Sequence, residues 1–234
     1  MVTGARMAII TARPNMVTDR TVGDGVSAQQ ILTTWFSPAY PVGAFSYSHG
    51  LEPAVERGVV TDVQSLHAWT EDLLRYGSGR TDAILLRHAY ASDDPVDLSA
   101  LAEALAPSQE RHLETVAQGA ACARTTSAAW DVSLAEGPYP VVVGQAAKKI
   151  GAPLDETVTL FLQAFAANIV SAGVRLVPLG QTDGQIITSR LLSLAAEISN
   201  ATRDADIWDI GGCAIVADLS SMLHETQRTR LYRS

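Results

Sequence analysis

The chain has 234 residues, 47% of them hydrophobic and 18% charged, a composition typical of a globular protein and not of a disordered or collagen-like one. It carries 17 Lys and Arg against 25 Asp and Glu, a net charge of −8, which argues against a nucleic-acid-binding surface because phosphate neutralisation needs a basic patch. A chain of this length can bury a sizeable core without disulfides or a metal.

The N-terminal residues lack the pattern of a packed element. The apolar patch at residues 7–10 is too short for the core of a signal peptide, and no run in the chain approaches the roughly 18 apolar residues that a membrane helix needs. We therefore predict a cytoplasmic protein. Residues 1–26 are predicted to be a mobile arm, residues 27–220 a domain, and residues 221–234 a separate tail.

From residue 27 onward, apolar residues recur at helical spacing. Ser27 is the predicted N-cap of a first helix, which must end before Pro38 because the residue preceding a proline is disfavoured in a helix. A second helix is predicted after His49, with Glu52 on the face turned toward solvent. Gly58 suits the C-terminal cap of that helix.

The remaining elements follow the same helical pattern. Thr61 and Gln64 have capping-box spacing at the start of a third helix, Gly77 and Gly79 predict its interruption, and Thr81 its resumption. Further helices are predicted over residues 97–106, 108–134, 140–150, 154–177 and 184–201, with a last one from about residue 206 toward the tail. Strand patterns are scarce, so the predicted fold is all-α, a single-domain bundle of about ten helices.

Motifs for nucleotide or metal chemistry are absent from the sequence. It contains no GxxxxGK[ST] and no complete GxGxxG, and Arg228 occupies the place of the second histidine of an HExxH that would begin at His224. We therefore predict no cofactor, no metal and no enzyme activity. Two alternatives stay open. One is a helical hydrolase with His49, an acid such as Asp82 and a nearby serine (Ser37, Ser46 or Ser48), and the other is a protein that carries nickel through His224 or His49.

Three segments stand out as candidate interaction surfaces. Residues 37–52 combine two prolines, two glycines and three aromatic residues, which is typical of a rigid docking loop or of an ordered helix connection. Residues 178–185 form a polar, glycine-rich turn that opens a helix. Residues 221–234 are basic but carry four apolar side chains that a solvated tail would not need, so we predict that this tail becomes ordered on a partner: Met222, Leu223, Leu231 and Tyr232.

These three segments, in this order, resemble the urease accessory protein UreF family. FSPAYPVGAFSYSHGLE at residues 36–52 is similar to the family's S-P-x-x-P-V/I-G-x-F/Y-S-x-S-x-G-x-E signature. VPLGQTDGQ at residues 177–185 and SMLHETQRTRLYRS at residues 221–234 match the family's later turn and its terminal motif. The resemblance runs from about residue 27 to the last residue, with small departures at Tyr40 and Arg228.

The resemblance implies an all-α homodimer without catalytic activity. Such a protein would bridge the accessory protein UreD (UreH in some species) and the GTPase UreG, which binds GTP itself, in the complex that delivers nickel to the urease apoprotein. No nucleic acid or membrane is implied as a partner.

On this basis we assign two sets of partner-binding residues. Tyr47, His49 and Glu52 are predicted to share an exposed face that helps to dock UreG, together with residues that flank the turn at Pro178: Arg175, Gln181, Asp183 and Gln185. In the alternative, Tyr47 and His49 are buried supports of the loop. The tail is predicted to contact UreD, so that its removal abolishes that complex and leaves the domain folded: Met222, Leu223, His224, Glu225, Arg230, Leu231 and Tyr232.

Overall fold

The structure, a computed structural model, describes residues 26–234. The predicted mobile arm, residues 1–26, lies outside the described residues except for Val26. Within the described part, the regular elements are ten α-helices and two short 3-10 turns, Ala44–Ser46 and Ile207–Asp209, and strands are absent. The helices are α1 Ala28–Trp35, α2 Leu51–Glu56, α3 Val63–Arg75, α4 Ser78–Ala91, α5 Val96–Ala104, α6 Gln109–Trp130, α7 Tyr139–Lys149, α8 Leu154–Leu176, α9 Gln181–Ala201 and α10 Ile215–His224.

The long helix α8 lies at the centre of the bundle. It packs against α3, α4 and α9, and its apolar side chains form the middle of the main core. A second, smaller apolar cluster, centred on Leu85 and Val141, lies between α4, α5 and α7. The prediction of an all-α, single-domain bundle is confirmed.

Local capping signals locate the early helices to within one residue. Ser27 caps α1 as predicted: its hydroxyl accepts from the Gln30 N–H at 3.3 Å, and Gln30 Oε1 accepts from the Ser27 N–H at 2.9 Å. The box of α3 is formed by Asp62 and Ser65 and not by the predicted pair one residue earlier. Asp caps a helix as well as Thr does, so the spacing rule alone cannot choose between adjacent candidates.

Two predicted boundaries in the middle of the chain are wrong. Gly79 lies inside α4 and does not interrupt a helix; a Cβ there would come within 2.7 Å of the Leu74 Cα, so glycine allows the close approach of α4 to the end of α3. Helix α6 ends at Trp130, four residues before the predicted end, because Asp131 takes a left-handed conformation with φ of 52°.

The last predicted helix is broken into two parts. The 3-10 turn Ile207–Asp209 is followed by an irregular segment, residues 210–214, before α10 begins at Ile215. Gly212 passes so close to α3 and α4 that a Cβ would collide with the main-chain oxygen of Tyr76. This contact, together with the low helix propensity of two adjacent glycines, explains the break.

Helix α8 also corrects the prediction that no segment is apolar enough to span a membrane. The helix is 23 residues long and has a mean hydropathy of 1.5 over an 18-residue window, which passes a test of length and composition for such a span. Half of that window is buried inside the bundle, in contact with three neighbouring helices. Helix α8 therefore fits the core helix of a soluble protein.

Candidate functional site

The loop between α1 and α2 contains three left-handed residues. Gly43 and Gly50 have φ of 76° and 74°, and His49 itself has φ of 54°. A Cβ on Gly50 would lie 2.6 Å from the Ser221 N, so only glycine allows the loop to approach the backbone of α10. The first and third segments singled out in the sequence are therefore in direct contact.

Glu52 holds the tail in place. Its Oε1 accepts from the Leu231 N–H at 2.8 Å, and its Oε2 accepts from the Tyr232 N–H at 2.9 Å. Only 4% of the surface of Glu52 is exposed, so these two hydrogen bonds replace hydration that the carboxylate has lost.

His224 joins this carboxylate to a second one. The imidazole is fully buried, with Nδ1 2.7 Å from Glu110 Oε2 and Nε2 3.3 Å from Glu52 Oε2. Glu110 in turn binds Arg230 of the tail, with Nη1 to Oε1 at 2.7 Å. The end of α10, the start of α2 and the start of α6 are thus connected to the tail by one polar cluster.

The last residues of the chain pair with the loop. The Arg233 N–H donates to the Ser46 main-chain oxygen at 2.8 Å, and the Ser48 N–H donates to the Ser234 main-chain oxygen at 2.7 Å. Arg175, at the end of α8, lies over the Tyr232 ring at 5.1 Å and donates to the Phe45 main-chain oxygen at 3.4 Å. The loop and the tail therefore meet at the C-terminal end of α8, through Arg175.

The tail is thus packed in the single chain, whereas the sequence pattern predicts that a partner orders it. The cause is the set of buried carboxylates on α2 and α6, which bind the tail's N–H and guanidinium groups. Tyr232 is buried, but Leu231 remains 78% exposed. Its apolar surface is still available to a partner.

The predicted exposed face of Tyr47, His49 and Glu52 is wrong, because all three residues are buried, with 4–6% of their surface exposed. His49 packs edge-on against Phe165 of α8, with ring centroids 4.8 Å apart. The alternative, in which Tyr47 and His49 support the loop from below, is the one observed.

A second polar cluster lies beneath the loop and consists of His49, Arg111 and Glu114. The Glu114 carboxylate contacts both Arg111 and His49, the latter at 2.9 Å, and it accepts from the Ser234 hydroxyl at 3.0 Å. Burial acts to raise the pKa of Glu114, but Arg111 and His49 outweigh it and lower that pKa to about 2. Burial and the Arg111 charge lower the pKa of His49.

This cluster borders a cavity of about 90 Å³ between the loop and helices α6 and α8. Its walls combine aromatic rings such as Phe36 and Phe165 with the polar groups of Asp82, Arg111 and Glu114. Burial raises the pKa of Asp82 to about 7, with the Glu114 charge adding to the rise and the Arg111 charge opposing it.

The hydrolase alternative finds no support in this geometry. Among the described residues, the hydroxyl of Ser48 is hydrogen-bonded to the main chain of Ser234, and His49 bonds to Arg111 and Glu114 but to no serine. Asp82 makes no hydrogen bond to His49 within residues 26–234. The described residues therefore show no hydrogen-bonded chain from a serine through His49 to Asp82.

Asp82→Asn is expected to stabilise the protein at pH 8. The folded state raises the pKa of Asp82 from 3.8 to about 7, so ionising this group costs more in the folded than in the unfolded chain. The unfavourable contribution is absent below about pH 4, grows as pH rises, and is complete above about pH 7. The free energy of unfolding of the variant should exceed that of the wild type by about 1–3 kcal/mol at pH 8 and be close to it at pH 4, as measured by urea denaturation. An equal change at both pH values would contradict the raised pKa.

The predicted residues near Pro178 form a separate group. Gln181 and Gln185 are exposed on the first turn of α9, and Asp183 caps that helix by accepting from the Gly180 N–H at 3.0 Å. The predicted helix start at residue 184 is therefore three residues late. Met222 and Leu223 are 46% and 38% exposed on α10.

Sequence reasoning missed the residues of α6 that organise the site. Glu110, Arg111 and Glu114 occupy the first turns of a long helix, where charged residues normally face solvent. Only a knowledge of their pairing partners would have identified them. Those partners lie 62 to 120 positions away in the chain, where no local pattern connects them.

Within residues 26–234, no group of three or more His, Cys, Asp and Glu side chains has an arrangement that could hold a metal ion. His224 uses both ring nitrogens for carboxylate contacts, and Nε2 of His49 faces Arg111 and Glu114.

Comparison with known proteins gives a consistent result. A family model described as UreF matches residues 60–192. "Urease accessory protein UreF" of Cereibacter sphaeroides is 53% identical over 203 residues, covering 87% of this chain and 97% of the relative. The protein of the same name from Roseobacter denitrificans is 44% identical over 230 residues, covering 97% of this chain and the whole relative. The turn after α8 lies within the residues that the family model matches, and the chain belongs to the UreF family of urease accessory proteins.

Proposed function

We propose that this chain is a non-enzymatic, cytoplasmic scaffold that holds UreD (UreH) and the GTPase UreG in one complex, through which nickel reaches the urease apoprotein and the GTP hydrolysis of UreG is regulated. The observation that carries this proposal is the presence of two exposed surfaces of different chemistry on one rigid bundle. One is apolar and lies on α10 and the tail, and the other is polar and lies at the start of α9.

The apolar surface suits UreD. Ile215, Leu219 and Met222 follow helical spacing along α10 and are 46–62% exposed, and Leu223 and Leu231 extend the same apolar character toward the tail. A contiguous apolar stripe exposed to water is typical of a surface that a partner covers. His224 and Glu225 bond to the start of α6, and Arg230 donates to the main-chain oxygen of Glu225, so these three residues hold the tail in position.

The polar surface suits UreG. Gln181 and Gln185 project from the first turn of α9, and Asp183 fixes the turn that presents them. Arg175 and the 64% exposed ring of Phe45 lie at the end of the preceding helix and on the loop. A turn that is already ordered loses little entropy on association. Tyr47, His49 and Glu52 support this loop and do not contact the GTPase directly.

Two double variants test both surfaces in one set of binding measurements. Met222→Ser with Leu223→Ser should weaken UreD binding about ten-fold or more and leave UreG binding unchanged, since only apolar contacts on α10 are lost. Gln181→Lys with Gln185→Lys should have the reverse effect. Val96→Ser, at a 67% exposed site on α5, and Ser193→Lys, at an exposed site on α9, are the matched controls. Equal binding by all variants would refute the scaffold proposal.

A two-fold homodimer completes the proposed scaffold. Several side chains of α8 are only half-buried in the single chain, and a symmetric helix contact would bury them further. Sedimentation should then give twice the chain mass of 24.8 kDa at micromolar concentration.

Equilibrium dialysis against Ni²⁺ separates the scaffold from the alternative in which this chain carries nickel itself, because only a carrier would retain the ion.

A further inference from the structure

Asp82 of α4 lies inside the bundle without a partner. Among residues 26–234, its carboxylate accepts no hydrogen bond and forms no ion pair. The charges that act on it belong to Arg111 and Glu114 of α6, which contact each other. Arg80, two residues earlier on α4, is engaged at the main-chain oxygen of Asp209. A carboxylate that has lost its water and gained no donor is costly, so such a group is typical of a site that an additional molecule completes.

Open space adjoins Asp82 on two sides. Its side chain borders the cavity of about 90 Å³ beneath the loop and a second cavity of about 70 Å³ that reaches Gly77 and Pro107. Arg111 and Thr115 border both cavities as well, so the two spaces adjoin at these three side chains. A water molecule takes up about 30 Å³ of the liquid, so the first cavity has room for about three waters or for one molecule of about four or five non-hydrogen atoms.

Aromatic rings form much of the wall of the first cavity. Phe161 of α8 packs against Phe36 at the end of α1 and against Tyr139 of α7, with ring centroids 6.2 and 5.5 Å apart, and all three rings line the cavity. The 64% exposed ring of Phe45 lines it too, so its outer end lies close to the surface. The faces of aromatic rings attract cations, and the attraction is stronger where water is excluded.

The charge around the cavity is negative. Arg111 and Glu114 offset each other, and His49 is neutral at pH 7 because burial and the Arg111 charge lower its pKa. Asp82 adds a carboxylate that no cation offsets, and Asp218 of α10 is a further carboxyl group on the wall of the second cavity. Burial raises the pKa of two phenols that line the first cavity, so both stay neutral: Tyr40 and Tyr139. The occupant that suits this space carries positive charge.

We propose that this cavity binds a small planar cation of the guanidinium or amidinium class, whose N–H groups pair with the Asp82 carboxylate while its face packs on the aromatic rings. Such a cation presents its donors in a fork that matches the two oxygens of a carboxylate, and a guanidinium is more weakly hydrated than an ammonium. Within the described part of the chain no side-chain cluster is arranged to hold a metal ion, so an organic cation is the class that fits. The site needs neither UreD nor UreG, since all of its residues belong to this chain.

Calorimetric titration of the full chain with methylguanidinium chloride tests the site, with N-methylurea as a neutral probe of the same shape. At pH 8, methylguanidinium should bind with a dissociation constant of about 1 mM or tighter, and methylurea about ten-fold or more weakly, because only the charged probe gains an ion pair. Binding of methylguanidinium should weaken about ten-fold from pH 8 to pH 6, since protonation of Asp82, whose pKa is about 7, competes with the probe. Sodium chloride at equal concentration controls for ionic strength.

Three variants locate the probe. Asp82→Asn keeps the shape of the side chain and should abolish both the preference for the charged probe and the dependence on pH. Asp72→Asn, at an exposed site on α3, is the matched control and should bind as the wild type does. Ala164→Leu keeps Asp82 but fills the cavity from α8, so it should weaken binding about ten-fold or more while circular dichroism shows the fold intact.

Three results would overturn this site. If about 10 mM methylguanidinium gives no binding to the wild-type chain at pH 8, water alone fills the cavity. If Asp82→Asn binds the probe as tightly as the wild type does, the probe lies elsewhere. If methylurea binds as well as methylguanidinium, the cavity does not select a cation. The scaffold proposal is tested separately, because neither UreD nor UreG takes part in these measurements.

Discussion

Arg111→Met is expected to lower the free energy of unfolding at pH 7 by about 3–5 kcal/mol. Arginine and methionine have side chains of similar length. The substitution nevertheless leaves Glu114, which is 2% exposed, as a buried charge without its guanidinium partner. His49 compensates only in part, because burial still acts to lower its pKa after the Arg111 charge is removed. Urea denaturation of both proteins measures the difference.

Arg124→Met is the matched control for this substitution. Arg124 also lies on α6 and pairs with Glu136 at 2.8 Å, but both side chains are more than half exposed. An exposed pair contributes about 0–1 kcal/mol, so the control should be close to the wild type. The Arg111 effect should also shrink as pH falls from about 4.5 toward 2, because the lowered pKa of Glu114 contributes stability only while the carboxylate is ionised. Similar losses for both variants would show that the buried pair has no special role.

Deleting residues 226–234 is expected to abolish UreD binding and to destabilise the domain as well. The deletion removes the tail N–H groups that donate to Glu52. It also removes the Arg230 guanidinium that binds Glu110 and the Ser234 hydroxyl that donates to Glu114. Hydrogen bonds to charged groups contribute about 1.5–3 kcal/mol each, and the freed residues regain conformational entropy. We expect a net loss of about 2–5 kcal/mol, measured by denaturant titration, beside the loss of the complex in gel filtration.

A single substitution separates these two effects. Leu231→Ser removes a side chain that is 78% exposed and keeps the backbone N–H that Glu52 accepts. It should leave stability unchanged and weaken UreD binding. If Leu231→Ser binds UreD normally and the truncated protein also binds it while folded, the tail has no part in that interface.

The sequence predicted what depends on neighbours along the chain. The apolar stripe of α8, the cap at Ser27 and the left-handed Gly58 after α2 are local patterns, and the structure confirms them. The two glycines of the last predicted helix were equally visible, but their packing against Tyr76 was not, so the break at residues 210–214 was missed.

The interior of the site could not be predicted in the same way. Glu52 lies on the predicted solvent-facing side of α2, and it is buried because His224 of α10 and the tail, about 170 to 180 residues later, cover it. The same holds for Glu110 and Glu114 on α6. The family resemblance located the three segments, but the fold decides which of their side chains face inward, and Tyr47, His49 and Glu52 do.

The pairing of the loop with the tail also determines the order of events during synthesis. Ser48 and Glu52 emerge from the ribosome about 180 residues before the groups that bind them, so the loop and the starts of α2 and α6 must wait with unpaired carboxylates. Contacts with such sequence separation form late in folding. The nascent domain therefore reaches its final conformation only when the tail docks, and a chain stalled before that point would expose its acidic interior to chaperones and proteases.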